Sequence, residues 1–379
     1  MLLQGPGSAA EPATHAFVVG VSHYPFLNGP QQTPRGKQLR MVDLSSAARS
    51  ASDIAAWLLT KYHNPAAPLA DISLFLSPSE GEKLNPVVAK ALGRKKAPAL
   101  RDKVELAFEE FRDTCASNPD NIAFVYVAGH GIQLELHSAI VLLQDFAVAG
   151  RDELYGAIDI AACRRSMDCD GQASHQVWFS DACRQRPELI KQFDQLTGAY
   201  SPSKRIGSVK ASPIFLAAAG REQAFAKIGE ATIFSSALLW ALEGGCVKGP
   251  SATCPEWHVR ATQLITALPS RVEELLTDFS EQQTVQTTGT VQEVVVQRLL
   301  KPPDVDIEVA LSPAALAPAP IAELLFKVVT PQQVVPGWPL KYLGPPGIYQ
   351  LKVQTGSGSR AEIVFNAEPP RFRDKIEVT

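Results

Sequence analysis

Five apolar runs of strand length recur in the N-terminal part of the chain, separated by segments long enough for helices. They lie at residues 17–21, 72–76, 122–127, 177–180 and 214–219. Continuous apolar runs of this length, bounded by polar or turn residues, are typical of strands that are buried on both faces, as in parallel sheets. The pattern therefore predicts five parallel core strands.

Segments with helical periodicity lie between and after these runs. In residues 44–59, small and apolar side chains recur at helical spacing, namely Ala47, Ala51, Ile54, Ala55 and Leu58. Residues 103–111 and 233–242 predict helices for the same reason. Strands that alternate with helices predict an α/β fold with helices on both faces of the sheet.

Two further assignments complete the predicted sheet. Residues 139–143 are apolar and follow the third strand closely, which predicts a short hairpin rather than another crossover. Residues 291–300 are rich in β-branched side chains and are assigned as an additional strand of the main sheet. The prediction is thus a three-layer α/β domain with a mostly parallel six-stranded sheet.

The composition changes at residue 302, beyond which the chain is rich in proline and valine. Short strand-like pieces separated by turn signals lie at residues 306–311, 324–329, 349–353 and 361–365. They predict a small all-β, sandwich-like domain at residues 303–379, which follows an α/β domain at residues 14–300.

Charge, hydropathy and cysteine usage exclude several classes of protein. The net charge of −3 is spread over the chain, and the densest basic run, Arg94-Lys95-Lys96, is three residues long, so nucleic-acid binding is not expected. The first 15 residues lack a signal-peptide pattern and no run reaches 18 apolar residues, so we expect a cytoplasmic protein without a membrane partner. The six cysteines form no CxxC pair, which predicts reduced thiols rather than disulfides or structural zinc.

Two reactive side chains directly follow consecutive predicted strands. The third strand runs into His130 and Gly131, and the fourth runs into Cys183. Because ligands of open α/β sheets bind at the carboxyl ends of the strands, both side chains are expected in one crevice. A histidine beside a thiol raises the thiolate fraction and can protonate a leaving amine. The backbone N–H groups of Gly131 and Cys183 are the expected oxyanion hole.

These residues carry a resemblance to a known family. Caspases have a Q-A-C-[RQG]-G signature with a histidine about 50 residues upstream. This chain has the sequence DACRQ at residues 181–185, and His130 lies 53 residues before the cysteine. The acid at Asp181, two residues before the cysteine, resembles the D-x-C pattern of metacaspases. The chain therefore resembles caspase/metacaspase-like cysteine peptidases, in particular the prokaryotic members of the family.

Other segments resemble the family in the same order along the chain. They are the first strand AFVVGVSHY, a helix similar to the metacaspase "NDA" helix, the strand and turn IVLLQDF, and the small-subunit-like strand and helix FLAAAGREQAFAKIG and ATIFSSALLWAL. The resemblance covers about residues 14–300. It implies a caspase-haemoglobinase-like fold and a cysteine endopeptidase that cleaves proteins or peptides through a Cys-His dyad, without a required cofactor.

The resemblance also indicates where substrate specificity lies. In metacaspases two acids hold a basic P1 side chain, because carboxylates accept the bidentate fork of arginine. Asp181 matches one of these acids, and Ser50 stands where the other would be. Arg49 or Arg184 directed into the pocket would instead favour an acidic P1 residue, as in caspases. We expect a basic P1 residue.

Residues 184–212 turn polar and lose periodicity in their second half, which predicts a long exposed loop. The loop stands where caspases have their intersubunit linker. If the enzyme is a zymogen that cleaves after basic residues, it would process itself in this loop, at Lys191, Lys204, Arg205 or Lys210.

Several polar residues are assigned no chemistry. The acids that would suit a calcium site as in some metacaspases lack an EF-hand pattern, namely Asp152, Glu153, Asp168 and Asp170. We interpret them as solvated acids, so calcium activation is not supported. His23, His137 and His175 are interpreted as structural, although His23 follows the first strand and could lie at the rim of the cleft.

Three functional hypotheses stay open. The first is the endopeptidase, which prokaryotic relatives place in regulated cell death or antiviral defence. The second is a catalytically silent scaffold of the same fold that binds a partner protein. The third is a small-molecule thiol hydrolase that uses Cys183 on an ester or amide. The C-terminal β domain is the expected binding site for partners or regulators.

Overall fold

The computed structural model describes most of the chain. The described residues are 1–5, 7, 12–133, 139–169, 171–183, 198–202, 212–218, 226, 229–251, 254–277, 282–291, 294–312, 321–334, 337–355 and 358–378. The chain divides into two compact units. The first comprises Met1–Leu239 and Arg260–Gln297, and the second comprises Trp240–Val259 and Arg298–Thr379. The second unit thus includes a stretch, Trp240–Val259, that the sequence analysis placed in the α/β domain.

The first unit is built on a seven-stranded sheet. In spatial order its strands are β1 (Leu2–Gln4), β3 (Leu69–Ser77), β2 (Thr14–Val21), β4 (Ile122–Gly129), β8 (His175–Ala182), β9 (Ile214–Leu216) and β11 (Gln286–Thr288). The five inner strands are parallel, whereas β1 and β11 pair antiparallel at the two edges. Each of the five predicted core strands corresponds to one of the inner strands, although β9 (Ile214–Leu216) is shorter than the predicted run at residues 214–219.

The prediction of six strands was wrong in two respects. The predicted strand at residues 291–300 is β12 (Val295–Leu299), which lies outside the main sheet and pairs with β10 (Trp257–Arg260). The sheet instead gains β1 and β11 at its edges. Both strands are only three residues long, and β11 has the polar sequence QTT. Strands this short have no measurable alternation, so the sequence pattern does not reveal them.

The helices of the described chain lie between and beside these strands. They are α1 (Pro34–Leu39), α2 (Ala47–Thr60), α3 (Pro86–Leu92), α4 (Arg101–Cys115), α5 (Ile160–Met167), α6 (Ile233–Trp240) and α7 (Ala261–Leu276), with a π-helical turn at Ala241–Gly245. The three helices that periodicity predicted correspond to α2, α4 and α6.

Helices α2 and α4 pack on opposite faces of the sheet. The ring of Phe17 on β2 contacts that of Phe108 on α4, with centroids 5.5 Å apart. A Cβ at Gly20, also on β2, would lie 2.5 Å from the Cβ of Ala51 on α2. Because strand residues an odd number of positions apart point to opposite faces, the sheet lies between the two helices. The first unit is therefore a three-layer α/β/α structure.

A small antiparallel sheet follows the third core strand. It consists of β5 (Gly131–Ile132), β6 (Ile140–Leu142) and β7 (Ala157–Asp159). Strands β5 and β6 pair directly, with Gly131 opposite Val141. The predicted hairpin is thus confirmed.

The second unit contains one mixed sheet and one antiparallel sheet. One has the order β16 (Leu340–Gly344), β13 (Val305–Ser312), β19 (Arg371–Glu377), and the other has the order β15 (Thr330–Gln332), β14 (Ile321–Phe326), β17 (Gly347–Gln354), β18 (Arg360–Ala367). Inward side chains of both sheets share one hydrophobic cluster, which includes Val305, Ile307, Leu324, Tyr349 and Leu351.

Candidate functional site

The strand register places His130 and Cys183 side by side. Strands β4 and β8 are parallel neighbours, and their last paired residues are Gly129 and Ala182. His130 and Cys183 are the next residue on each strand, so they leave the sheet at the same level, at its carboxyl edge. Both side chains are partly exposed. The structure therefore brings the predicted pair to the same edge of the sheet, at neighbouring strand ends.

Gly131 lies against the backbone of the cysteine. A Cβ at this position would lie 2.1 Å from the carbonyl oxygen of Cys183 and 2.8 Å from the Cβ of Ala182, so only glycine fits. The N–H of Leu142 donates to the carbonyl oxygen of His130 at 2.8 Å. Gly131, opposite Val141, is therefore at a non-hydrogen-bonded position of the β5–β6 pair, and its N–H is directed away from β6.

A backbone carbonyl orients the imidazole of His130. Nε2 of His130 lies 2.7 Å from the carbonyl oxygen of Val42. Since a carbonyl can only accept a hydrogen bond, Nε2 carries the proton and donates it, which leaves Nδ1 as the acceptor nitrogen of the neutral ring. Burial lowers the pKa of His130 below its ordinary value, although the hydrogen bond to Val42 and the charge of Asp43 act in the opposite direction. The neutral ring is therefore favoured near pH 7.

Tyr24 fixes the backbone of the same residue. Its hydroxyl accepts a hydrogen bond from the N–H of His130 at 2.8 Å, and the two rings lie 4.9 Å apart. The same hydroxyl is within donating distance of the carbonyl oxygen of Val21, at 3.1 Å. Burial raises the pKa of Tyr24, and the charges of Cys183 and Asp43 raise it further. Tyr24 thus lies against His130 and stays protonated.

Asp43 connects these residues to His23. One carboxylate oxygen of Asp43 accepts from the N–H of Tyr24 at 2.8 Å, and the other lies 2.8 Å from Nδ1 of His23. Val42 directly precedes Asp43 in the chain. One short segment therefore holds both the imidazole of His130, through Val42, and the backbone of Tyr24, through Asp43. His23, which the sequence analysis interpreted as structural, lies at this site but does not contact His130 among the described hydrogen bonds.

Asp181, two residues before Cys183, is on the α2 face of the sheet. Its side chain is buried, with 2% exposed. Oδ2 accepts hydrogen bonds from the hydroxyl of Tyr126, at 2.5 Å, and from the hydroxyl of Thr232. Burial raises the pKa of Asp181 to about 6, while the two hydroxyls act to lower it. Oδ1 is buried and has no hydrogen-bond partner in the part of the chain that the structure describes.

Ser50 joins the same cluster from α2. Its Oγ accepts a hydrogen bond from the N–H of Thr232 at 2.9 Å and is 3.3 Å from the Thr232 hydroxyl. The start of α2 is held in place by other elements, because Ser22 Oγ and Glu82 accept from the first N–H groups of the helix at 2.9 Å. The structure thus brings together Ser50 and Asp181, two of the predicted pocket residues, with Thr232 between them.

The other predicted specificity residues are placed differently. The guanidinium of Arg49 donates to the carbonyl oxygen of Gly229 and lies 3.8 Å from Asp53, and its side chain is 37% exposed. Arg49 is therefore engaged away from Asp181. Arg184 and the four expected self-cleavage residues, Lys191, Lys204, Arg205 and Lys210, lie outside the described residues, as does His137.

The sequence analysis missed five residues of this site, namely Tyr24, Val42, Asp43, Tyr126 and Thr232. Val42 acts through a carbonyl that every residue possesses, so no residue type marks it. The others are ordinary polar residues that are brought to His130 or Asp181 by the fold. Tyr126 and Thr232 each lie more than 50 residues from Asp181 in the sequence, so residue spacing does not reveal that they contact it.

Within the described residues, no group of three or more histidine, cysteine or acidic side chains is arranged to hold a metal ion. Among the described helices, none combines the length and apolar character that crossing a membrane requires.

Comparison with known proteins identifies one family. A family model described as the caspase domain matches residues 91–292, a span that is more than half of the 379-residue chain and contains both His130 and Cys183. No curated protein sequence matches the chain significantly.

Two similar solved structures are caspases. One, titled "structure of pro-sf-caspase-1", is 12% identical with a TM-score of 0.41 and covers 76% of this chain and 94% of its own. The other is the crystal structure of caspase-1 from Spodoptera frugiperda, 13% identical with a TM-score of 0.40, covering 76% of this chain and 89% of its own. Likeness at this TM-score is too weak to carry conclusions, so the family assignment rests on the caspase-domain match.

Proposed function

The chain belongs to the caspase-domain family of cysteine endopeptidases, and on this premise we propose that Cys183 is its nucleophile and His130 its general acid and base. The observation that carries the proposal is the register of β4 and β8. It delivers an imidazole and a thiol from adjacent strands at one level of the sheet. Parallel strands lie about 4.8 Å apart, so side chains that leave them at one level are within reach of each other.

The hydrogen bond to Val42 assigns the nitrogen that moves the proton. With Nε2–H donated to Val42, Nδ1 of His130 takes the proton from Sγ of Cys183. The thiolate then attacks the carbonyl carbon of the scissile peptide bond. The C–N bond breaks as Nδ1–H protonates the leaving amine, which leaves an acyl-enzyme thioester. Nδ1 next takes a proton from water, and the resulting hydroxide adds to the thioester carbon. The C–S bond then breaks to release the acid, and Nδ1–H returns the proton to the thiolate Sγ.

Gly131 and Cys183 are the proposed oxyanion hole. The N–H of Gly131 points away from β6, and the absence of a Cβ lets its backbone lie against the cysteine. Two N–H donors aimed at the developing oxyanion typically contribute several kcal/mol of transition-state stabilisation. The close approach of the two backbones supports this assignment.

We assign a basic P1 preference to Asp181. Its Oδ2 is occupied by two hydroxyl donors, whereas Oδ1 has no partner among the described residues. A buried acceptor without a donor costs free energy. An arginine or lysine side chain would supply that donor and would neutralise a carboxylate that is charged above about pH 6. Arg49 is turned to Gly229 and Asp53, so it leaves this charge uncompensated.

A peptide mixture tests the reaction and its specificity together. The purified protein is incubated with diverse peptides, with and without calcium, and the cleavage sites are read by mass spectrometry. We expect cleavage after arginine and lysine, no dependence on calcium, and no cleavage by the Cys183→Ala variant. Uncut peptides under all conditions would support the silent scaffold instead. Turnover of small esters without cleavage of any peptide would support the thiol hydrolase.

The bounds of the two domains are also proposals. We place the peptidase domain at residues 14–300 and an accessory β domain, with a regulator as its ligand, at residues 303–379.

We place self-processing at Lys191, Lys204, Arg205 or Lys210. Two fragments in preparations of the wild type and none in the Cys183→Ala variant are the expected result. Fragments in both would mean that another protease cuts the chain.

A further inference from the structure

A cavity of about 310 Å³ lies beside the candidate site, at the carboxyl edge of the same sheet. Its walls include the end of β3, Leu92 at the end of α3, and residues 95–98. The N–H of Leu76 donates to the carbonyl oxygen of Ala97 at 2.7 Å, so this segment is bonded along the end of β3. In the sheet order, β3 is two strands from β4, which corresponds to about 10 Å. The cavity is thus close to His130 without being part of the proposed dyad.

The charged residues that line this cavity are both basic. They are Lys95 and Lys96, and the described lining residues include no aspartate or glutamate. The remaining walls are mostly apolar, with Leu76, Leu84 and Leu92 among them. An apolar chamber with cationic side chains and no acid is complementary to an anion that carries an apolar body.

Gln144 adds an oriented donor to the lining. The hydroxyl of Ser77 accepts from the N–H of Ala99 at 2.9 Å and donates to Oε1 of Gln144 at 2.6 Å. Oε1 is therefore occupied, and the group that Gln144 can offer a ligand is the Nε2 amide, a donor. Within the described residues, Nε2 makes no hydrogen bond. The side-chain groups that Lys95, Lys96 and Gln144 offer a ligand are thus donors, as the recognition of a carboxylate requires.

We propose that this cavity binds a small organic anion with an apolar body, of the size and chemistry of a medium-chain carboxylate. The anionic group lies at Lys95, Lys96 and Gln144, and the apolar body packs on the leucine wall. The volume is at the lower end of the range for ligand sites, which favours a small ligand. Lys95 and Lys96, two residues of the basic run at residues 94–96, thereby acquire a role that nucleic-acid binding does not supply.

A ligand in the cavity is expected to affect His130 and Cys183 through His23. His23 lines the cavity and lies 2.8 Å from Asp43, which holds the N–H of Tyr24. The adjacent Val42 accepts from His130 Nε2. A ligand that moves His23 therefore acts on the segment that orients the imidazole. This coupling, unlike the binding itself, rests on the proposed role of His130.

Calorimetric titration of the full chain with octanoate tests the binding. The matched neutral ligand is octanamide, which has the same apolar body without the charge. The variant Lys95→Gln/Lys96→Gln removes two exposed charges and is not expected to affect folding. Arg94→Gln is the control, because Arg94 is the third residue of the run but does not line the cavity.

We expect one octanoate site in the wild type and in Arg94→Gln, with affinity about tenfold lower in the double variant and for octanamide. Absence of octanoate binding, or equal binding by the double variant or by octanamide, would overturn the proposal. For the coupling, we expect saturating octanoate to change the rate at which iodoacetamide alkylates Cys183. An unchanged rate at proven saturation would refute the coupling, and these results do not depend on whether the protein cleaves peptides.

Discussion

The carbonyl oxygen of Val42 accepts a hydrogen bond from Nε2 of His130 at 2.7 Å, across 88 positions of sequence. This contact decides which ring nitrogen is available to the thiol, because a donated Nε2–H leaves the lone pair on Nδ1. The chemistry proposed for the site therefore depends on a main-chain atom of a loop before α2, and not only on the two reactive side chains.

The ionisation of His130 follows from its surroundings. Burial disfavours the charged ring and lowers its pKa, so the neutral base persists to a lower pH than in a solvent-exposed histidine. In an NMR titration of Cys183→Ala, we expect His130 to titrate below about 6.5, the ordinary value. Because the charge of Asp43 raises this pKa, Asp43→Asn should lower it further. A pKa above the ordinary value, or one that rises in Asp43→Asn, would contradict the account.

Gly131→Ala should damage catalysis through the backbone. The added Cβ would lie 2.1 Å from the carbonyl oxygen of Cys183, so the chain at the nucleophile must move. We expect kcat/KM to fall by roughly 100-fold or more, the scale of losing one oxyanion donor. Gly249→Ala is the control, since its Cβ would meet Trp257 at an ordinary 3.4 Å. Equal activity of the wild type and Gly131→Ala would refute the proposed oxyanion hole.

Asp181→Asn tests the specificity pocket. The amide oxygen can still accept from Tyr126 and Thr232, but the negative charge is lost. We expect kcat/KM for P1-arginine peptides to fall by about 10- to 100-fold, the scale of a charge-assisted hydrogen bond, with little change for P1-alanine. In the wild type, the arginine preference should disappear as the pH falls through about 6, because Asp181 becomes protonated. An unchanged preference in Asp181→Asn would assign P1 recognition to other residues.

The same variant has an expected effect on folding. The pKa of Asp181 is raised from 3.8 to about 6 in the folded state, so folding disfavours its charged form; this cost develops between these two pH values and is present in full above about pH 6. Removing the charge should therefore not lower the free energy of unfolding at pH 7. Denaturant titrations of the wild type and Asp181→Asn check this. A loss of more than about 2 kcal/mol would mean that the buried charge is stabilising.

Tyr126 is expected to be a positioning residue for Asp181. Its hydroxyl donates to Oδ2 and lowers the pKa of the carboxyl. In Tyr126→Phe we expect the pH at which the arginine preference appears to move upward, while kcat for P1-alanine peptides stays near the wild-type value. A merely structural role would lower both activities without moving the pH midpoint. Thr232→Val removes the second donor and should move the midpoint in the same direction.

The core strands and the reactive pair could be predicted because each has a local signature. The five inner strands are continuous apolar runs, and a cysteine and a histidine directly after two such runs are recognisable by residue type. Strands β1 and β11 have no such signature, because three residues give no periodicity and QTT is polar. The assignment of residues 291–300 to the main sheet was wrong because β-branched composition indicates a strand without indicating its partner.

The support around the reactive pair could not be predicted for a different reason. Val42 contributes a carbonyl group, and Tyr24 contributes a hydroxyl that accepts from the backbone of His130. Thr232 contacts Ser50, which lies more than 180 positions away in the sequence, and Asp181, which lies about 50 positions away. Such contacts depend on how distant elements pack, and a single sequence does not show that packing.

The most direct test of the central claim is covalent labelling by a peptidyl chloromethyl ketone with arginine at P1, read by mass spectrometry of the intact and digested protein. The account predicts one adduct on the wild type, located at Cys183, no adduct on Cys183→Ala, and much slower labelling of His130→Ala because the thiol loses its base. An adduct on another cysteine, or a rate that His130→Ala leaves unchanged, would contradict the proposal that Cys183 and His130 act as a catalytic pair.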